Sequence, residues 1–521
     1  MVRRPVVICL LLISPLFAPG ATAGQASPAN KEQILQSGIQ AFAAHNFTAA
    51  EHAFSQLVEV DPSATNYGYL ANAEVANGKL NQAVADFHKS LQLGNNSWNL
   101  HYNLGLCYSQ LHQLPLAVAE LRQALSLEPT SLAAKYALGI ALLQSGEAKQ
   151  AVDVLSGACD QTPKDARLCT ALVSAQFEAG TSEQAVSTAR NAMRANPDNS
   201  QLAVTLAATC LYHHQTQAAR NLLEDALESV PEDTGIRMLL AKVSLLAQEP
   251  QEALAVLKGM PAGKNQGEKL LLTGEALALT GDLDAATKQL SAALRASPNR
   301  VQSLTSYAWV LQLRGRYRDA LPVLSKAAGL EPAAAAIQYR IAVSHYFLGQ
   351  YSMARRACAR ALGRDPRYAA AYFLLGMTDL REKDVASAQN DLNKAIGLEP
   401  DVPLFHRELG KVLLQTGNLS EASKELEQAL SLDSRNAENY FWRAKLLATQ
   451  GANQQAIKDF NTAVELDPNY ADAYTELARL YTQAGQPDEA AKALAKRKRI
   501  VASSKTSGEN RQLLSVPDGV Q

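Results

Sequence analysis

Tyr102-Asn103-Leu104-Gly105-Leu106-Cys107-Tyr108, followed by Ala117, Leu121, Ala124 and Pro129, is the unit from which the whole chain is built. The pattern returns as Tyr372-Phe373-Leu374-Leu375-Gly376 with Ala388, Leu392, Ala395 and Pro400. A third copy is Tyr474-Thr475-Glu476-Leu477-Ala478 with Tyr481, Ala490 and Leu494. One alanine keeps its phase through fourteen copies: Ala50, Ala83, Ala117, Ala151, Ala185, Ala219, Ala253, Ala286, Ala320, Ala354, Ala388, Ala422, Ala456 and Ala490. Eleven of the thirteen gaps are 34 residues and two are 33. A period of 34 is the length of one helix–turn–helix unit in a stacked array. A methyl-sized side chain at one fixed phase marks the place where two helices approach closely.

Two further columns share that phase. A closing proline stands at Pro62, Pro129, Pro163, Pro197, Pro231, Pro298, Pro332, Pro366, Pro400 and Pro468. Proline lacks an N–H and biases the residue before it away from the helical region, so it separates one hairpin from the next. Glycine marks the turn inside the hairpin at Gly78, Gly146, Gly180, Gly281, Gly315, Gly349, Gly417, Gly451 and Gly485. Three of the five exceptions are His45, His112 and His214. Histidine is enriched in the left-handed conformation, so these three read as turn residues and not as metal ligands.

These columns resemble the tetratricopeptide repeat: a large residue early in the first helix, Leu then Gly or Ala, Ala and a large apolar residue in the second helix, and a closing proline. The resemblance implies an all-α fold, a right-handed α-solenoid superhelix of about fourteen stacked hairpins over residues 31–502. Two local departures are expected. The seventh repeat breaks early at Gly259-Met260-Pro261-Ala262-Gly263, and Ser434 replaces the closing proline of the twelfth.

Composition agrees with such an array. The chain is 47% hydrophobic but only 6% aromatic. Helices of about 12–15 residues are marginal alone in water, and one hairpin cannot cover its own apolar face. Stability must therefore come from neighbours. With 49 Lys and Arg against 50 Asp and Glu, no global charge points to nucleic acid or to an anionic membrane surface.

The first residues differ in kind. Arg3 and Arg4 precede an apolar stretch from Val6 to Phe17, and Ala21-Thr22-Ala23 offers a small-x-small cleavage pattern. Residues 1–23 read as a signal peptide cleaved near Ala23, residues 24–30 as a linker, and the mature chain as exported, periplasmic or secreted. The apolar run is shorter than the ~20 residues of a spanning helix, and no second run reaches that length, so no integral span is expected in the mature chain. Residues 503–521 are polar, lack helical periodicity and read as a disordered tail.

Chemistry is sparse. No phosphate loop, dinucleotide fingerprint, nucleophile elbow or H-E-x-x-H motif occurs, so neither a cofactor, a metal nor a catalytic residue is assigned. None of the cysteines forms a C-x-x-C pair. Cys159 and Cys169 lie symmetrically about Lys164 in the turn between two repeats. The sequence leaves their pairing open, and typical 8–10 Å helix spacing favours two small buried hydrophobes over a bond that needs Cα atoms within ~7 Å. Lys496-Arg497-Lys498-Arg499 reads as a charged final helix shielding the array end.

Function therefore rests on the resemblance. It implies a non-catalytic scaffold that holds a protein or peptide partner along a concave surface lined by the first helix of each hairpin. Positions two, five, six, nine, twelve and thirteen of that helix face the surface in the family. In this sequence those phases carry Tyr69, Tyr102, Tyr136, Phe177 and Tyr212, then Trp309, Tyr339, Tyr346, Phe347, Phe373, Phe441 and Trp442. The last three repeats add Lys411, Lys445 and Arg479 at one phase, with Arg407 beside them and Glu408 and Glu476 nearby. That column suits a carboxylate or an acidic segment. The alternative is that the two glutamates neutralise the column as surface ion pairs. Carbohydrate binding by the aromatic residues in polysaccharide export is a further reading. So is kinship with the arrays of O-GlcNAc transferase-like glycosyltransferases, although their asparagine ladder is met here only by Asn103.

Overall fold

The computed structural model of the chain describes residues 28–260, 263 and 265–503. The expected signal peptide and the tail beyond Ser503 lie outside the described residues. The described residues form 28 α-helices and no strand. They fall into two compact units that divide between Gln248 and Glu249. In each unit consecutive helices pair as hairpins, and the second helix of one hairpin packs on the first helix of the next. This is the α-solenoid that the repeat implied.

The third repeat shows how residues make the hairpin. Its helices run Trp98–Gln110 and Leu114–Leu127. At the turn His112 adopts φ 58°, and the Gln113 N–H donates to the Tyr108 carbonyl at 2.9 Å. That six-to-one bond satisfies a carbonyl the helix end would otherwise leave open. His45 and His214 take the same left-handed conformation, as expected, and Gln248 and Lys383 supply it in the two remaining exceptions. Side chains cap several starts: Ser131 accepts from Ala134 N–H, and Asp233 from Ile236 N–H.

The alanine column is buried in every repeat. Close approach is also enforced in the facing helix. A Cβ on Gly105 would lie 2.6 Å from Leu121 Cγ, so at this crossing even a methyl would require the leucine to move. The seventh repeat is interrupted as expected: its second helix, Pro250–Lys258, has 9 residues where that of the sixth, Thr216–Ser229, has 14.

The first helix begins at Pro28 and the last extends to Ser503. One expectation is corrected. Cys159 and Cys169 form a disulfide. Their Cα atoms are 5.1 Å apart, well inside the usual helix spacing, because Gln161 ends one helix and Ala166 begins the next. Helices joined by so short a turn converge at the turn, so an average interaxial distance is the wrong measure there.

Candidate binding face on the last three repeats

The helices Pro403–Gln415, Ala437–Thr449 and Ala471–Gln483 each open a hairpin. Equal spacing sets two parallel columns on them: Glu408, Trp442 and Glu476 in one, Lys411, Lys445 and Arg479 in the other. The columns are three residues apart, so members of one helix face each other.

The contacts run from repeat to repeat. Lys411 Nζ is 2.7 Å from Glu408 Oε2 and 4.9 Å from the Trp442 ring centroid. Lys445 Nζ is 5.7 Å from that same centroid and 3.3 Å from Glu476 Oε1. Arg479 Nε donates to Glu476 Oε2 at 2.9 Å. Burial pushes the Glu476 carboxyl up, but hydrogen bonds and charge from Arg479 and Lys445 outweigh it and hold the group below its ordinary value. Because Trp442 occupies the carboxylate phase of the middle helix, the two columns carry three cations against two carboxylates. Lys445 and Arg479 remain 37% and 49% exposed at their side chains.

Arg407 is different. It is fully interior, with Nε 3.4 Å from Glu408 Oε1, Nη2 3.3 Å from Glu438 Oε2 and Nη1 donating to Asn439 Oδ1 at 3.3 Å. Its position beneath the column makes it a support for Glu408 and not a surface contact. A buried arginine with two carboxylates is well placed to fix the register of neighbouring helices.

Half of the expected aromatic lining is core, while Tyr212 stays exposed. Tyr102 and Tyr339 are buried, Phe373 is stacked on Phe405 with centroids 4.8 Å apart, and Phe441 lies against Phe460 and Tyr470. Tyr136 is half-buried with the Arg167 guanidinium 5.9 Å from its ring centroid. Helices this short need large side chains between neighbouring hairpins, and that demand absorbs the aromatics. Of the residues singled out from sequence, the structure brings together Arg407, Lys411, Phe441, Trp442, Lys445 and Arg479. It adds Glu438 and Asn439, whose polarity on an inward phase was the available signal.

Two sequence profiles of the tetratricopeptide repeat match this chain, one over residues 112–175, 211–272, 311–376 and 447–502, the other over 35–97, 374–437 and 407–471. The chain belongs to the tetratricopeptide repeat family. Among solved structures this tetratricopeptide repeat protein is similar to the APC/C hetero-tetramer Cut9–Hcn1, at 14% identity over 87% of this chain and 96% of that one, with a TM-score of 0.44. It is similar to yeast Tom70 at 16% identity over 94% and 95%, with a TM-score of 0.38. MamA matches at 22% identity over 31% of this chain and 95% of its own, with a TM-score of 0.29. No curated protein matches the chain. Tetratricopeptide repeats typically bind proteins or peptides, and no described helix is long and apolar enough to cross a membrane.

Proposed function

We propose that this tetratricopeptide repeat protein is an exported, non-catalytic scaffold that captures an acidic segment of a partner protein on the Lys411–Trp442–Lys445–Arg479 face, in assembly of an envelope or secretion complex. One observation carries the binding reading. The ladder joins three repeats, keeps two of its three cations substantially exposed, and holds one cation more than its carboxylates neutralise. An acidic segment would exchange with Glu408 and Glu476 for the same donors, while the half-exposed indole offers an apolar contact beside them. The Cys159–Cys169 disulfide supports the export reading, because such bonds persist in oxidising compartments.

The test is fluorescence anisotropy with a labelled peptide containing a run of glutamates. Expected is saturable binding that weakens with added salt and falls at least tenfold when Lys411, Lys445 and Arg479 are all replaced by Ala, with helicity unchanged. Equal binding of a matched lysine peptide, or unchanged affinity in the triple variant, would refute the assignment. Mass spectrometry of the protein from its host tests export: a mature N-terminus just after Ala23 is expected, and an intact N-terminus would count against it.

A further inference from the structure

The final helix, Pro487–Ser503, presents to solvent a surface that the preceding repeats cover. Four residues after the alanine column, Leu290, Leu324, Cys358, Leu392, Leu426 and Phe460 are all fully buried, and in each case the helix that carries them packs on the opening helix of the following repeat. At the same phase Leu494 is 51% exposed. Two turns on, Val501 is 55% exposed. Seven residues after the alanine, buried Ala293, Ala327, Ala361, Ala395, Ala429 and Ala463 give way to exposed Arg497. Ala490, Ala493 and Ile500 face inward, so the helix is docked on one side and open on the other. The expected shielding of the array end is therefore incomplete: the cations are there, but Leu494 and Val501 stay in water.

We infer that the open face, centred on Leu494 and Val501, docks an acidic amphipathic helix of a partner protein, seated as the opening helix of a further repeat would be. Shape comes from the repeat itself, since the equivalent face of earlier hairpins receives a helix. Charge sets the partner's chemistry. Arg497 and Lys498 flank the two apolar residues on the helical wheel, and none of Lys496, Arg497, Lys498 and Arg499 has an ion pair among the described residues. A second copy of this chain would bring the same four cations against each other. The sequence that follows, residues 504–521, carries Lys505 and Arg511 against Glu509 and Asp518 and so supplies no net negative charge. A lipid surface calls for a broad apolar face, whereas Ala490, Ala493 and Ile500 are already committed to the interior.

The probe is a fluorescein-labelled synthetic helix of about 20 residues, long enough to be helical alone, with the apolar pattern of Ala471–Gln483 and glutamate at its solvent positions. Its control carries lysine instead. The full chain should bind the acidic helix saturably and the lysine helix at least tenfold more weakly. Leu494→Asp should weaken binding about tenfold, the scale of losing one buried leucine contact. Arg497→Glu with Lys498→Glu should do the same, and steepen nothing with salt. The same measurements are repeated in the chain with Lys411, Lys445 and Arg479 replaced by Ala, where the ladder no longer competes for the acidic helix: binding that remains there and is lost on adding Leu494→Asp belongs to this face, and no remaining binding would overturn the inference. Four other outcomes would overturn it: no difference between the two peptides; binding only after removal of residues 504–521, which would make the chain's own tail the occupant; self-association in sedimentation that Leu494→Asp abolishes; or co-sedimentation with phosphatidylglycerol vesicles in place of peptide binding.

Discussion

Lys411 and Trp442 belong to successive repeats, and the ammonium of the first lies 4.9 Å from the indole centroid of the second. The lysine also holds Glu408 at 2.7 Å, so one side chain ties a carboxylate on its own helix to an aromatic ring on the next. Cation–π contacts at exposed sites are worth about 0.5–1 kcal/mol. A double-mutant cycle of Lys411→Met and Trp442→Leu, followed by chemical unfolding, should return a coupling of about that size. Additive effects would mean that the two residues are neighbours without interaction.

The alanine column should tolerate no enlargement. Ala320 is fully buried where two helices meet, and inserting a leucine there should cost about 1–3 kcal/mol by overpacking. Ala502, on the exposed side of the final helix, should accept the same change nearly silently. Thermal unfolding of the two variants gives the comparison, and equal losses would show that the column does not report helix contact.

A shortened helix predicts a soft place. Pro250–Lys258 has 9 residues, two and a half turns, and so offers less side-chain surface to its neighbours than the 14-residue helix Thr216–Ser229. Amide hydrogens in residues 251–258 should exchange faster than those of the equivalent helices on either side, because units with fewer contacts open at lower free energy. Protection equal to that of Leu283–Ala296 would contradict this.

The architecture was legible because it is written as columns. Alanine, glycine, proline and the three turn histidines each answer to one local geometric demand, and a demand repeated fourteen times stands out from noise. The binding face was only half legible. Lys411, Lys445 and Arg479 share a phase and the structure keeps them at the surface, but Tyr102, Tyr339 and Phe373 share the same kind of phase and are core. Residue type and phase do not settle exposure when an aromatic ring is needed to fill the space between hairpins. Arg407 went the same way: its depth depends on Glu438 and Asn439, one repeat further along, which no single-repeat pattern contains. The disulfide was missed for a different reason. An average helix separation says little about two residues beside a tight turn.

The last prediction concerns pH and the second repeat. Glu74 is buried on Ala64–Ala76 and faces Asp86 on Leu80–Gln92. Burial pushes its carboxyl up to about 8, the charge of Asp86 and its shared hydrogen bond and the charge of Glu51 add to the rise, and Lys79 opposes it. Asp86 is itself raised, chiefly by burial. A carboxyl whose folded value lies above its unfolded value near 4.5 binds its proton more tightly when folded. Its contribution is fully present below the unfolded value and is lost as pH climbs towards about 8, where the folded group also ionises. Melting measured from about pH 5 to about pH 9 should therefore show the native chain losing stability as pH rises to about 8, with no further loss from this group above that. Glu74→Gln keeps a neutral side chain of the same shape beside Asp86, so its curve should be flatter over the same range. Parallel curves for the two proteins would show that Glu74 and Asp86 do not share a proton in the folded chain.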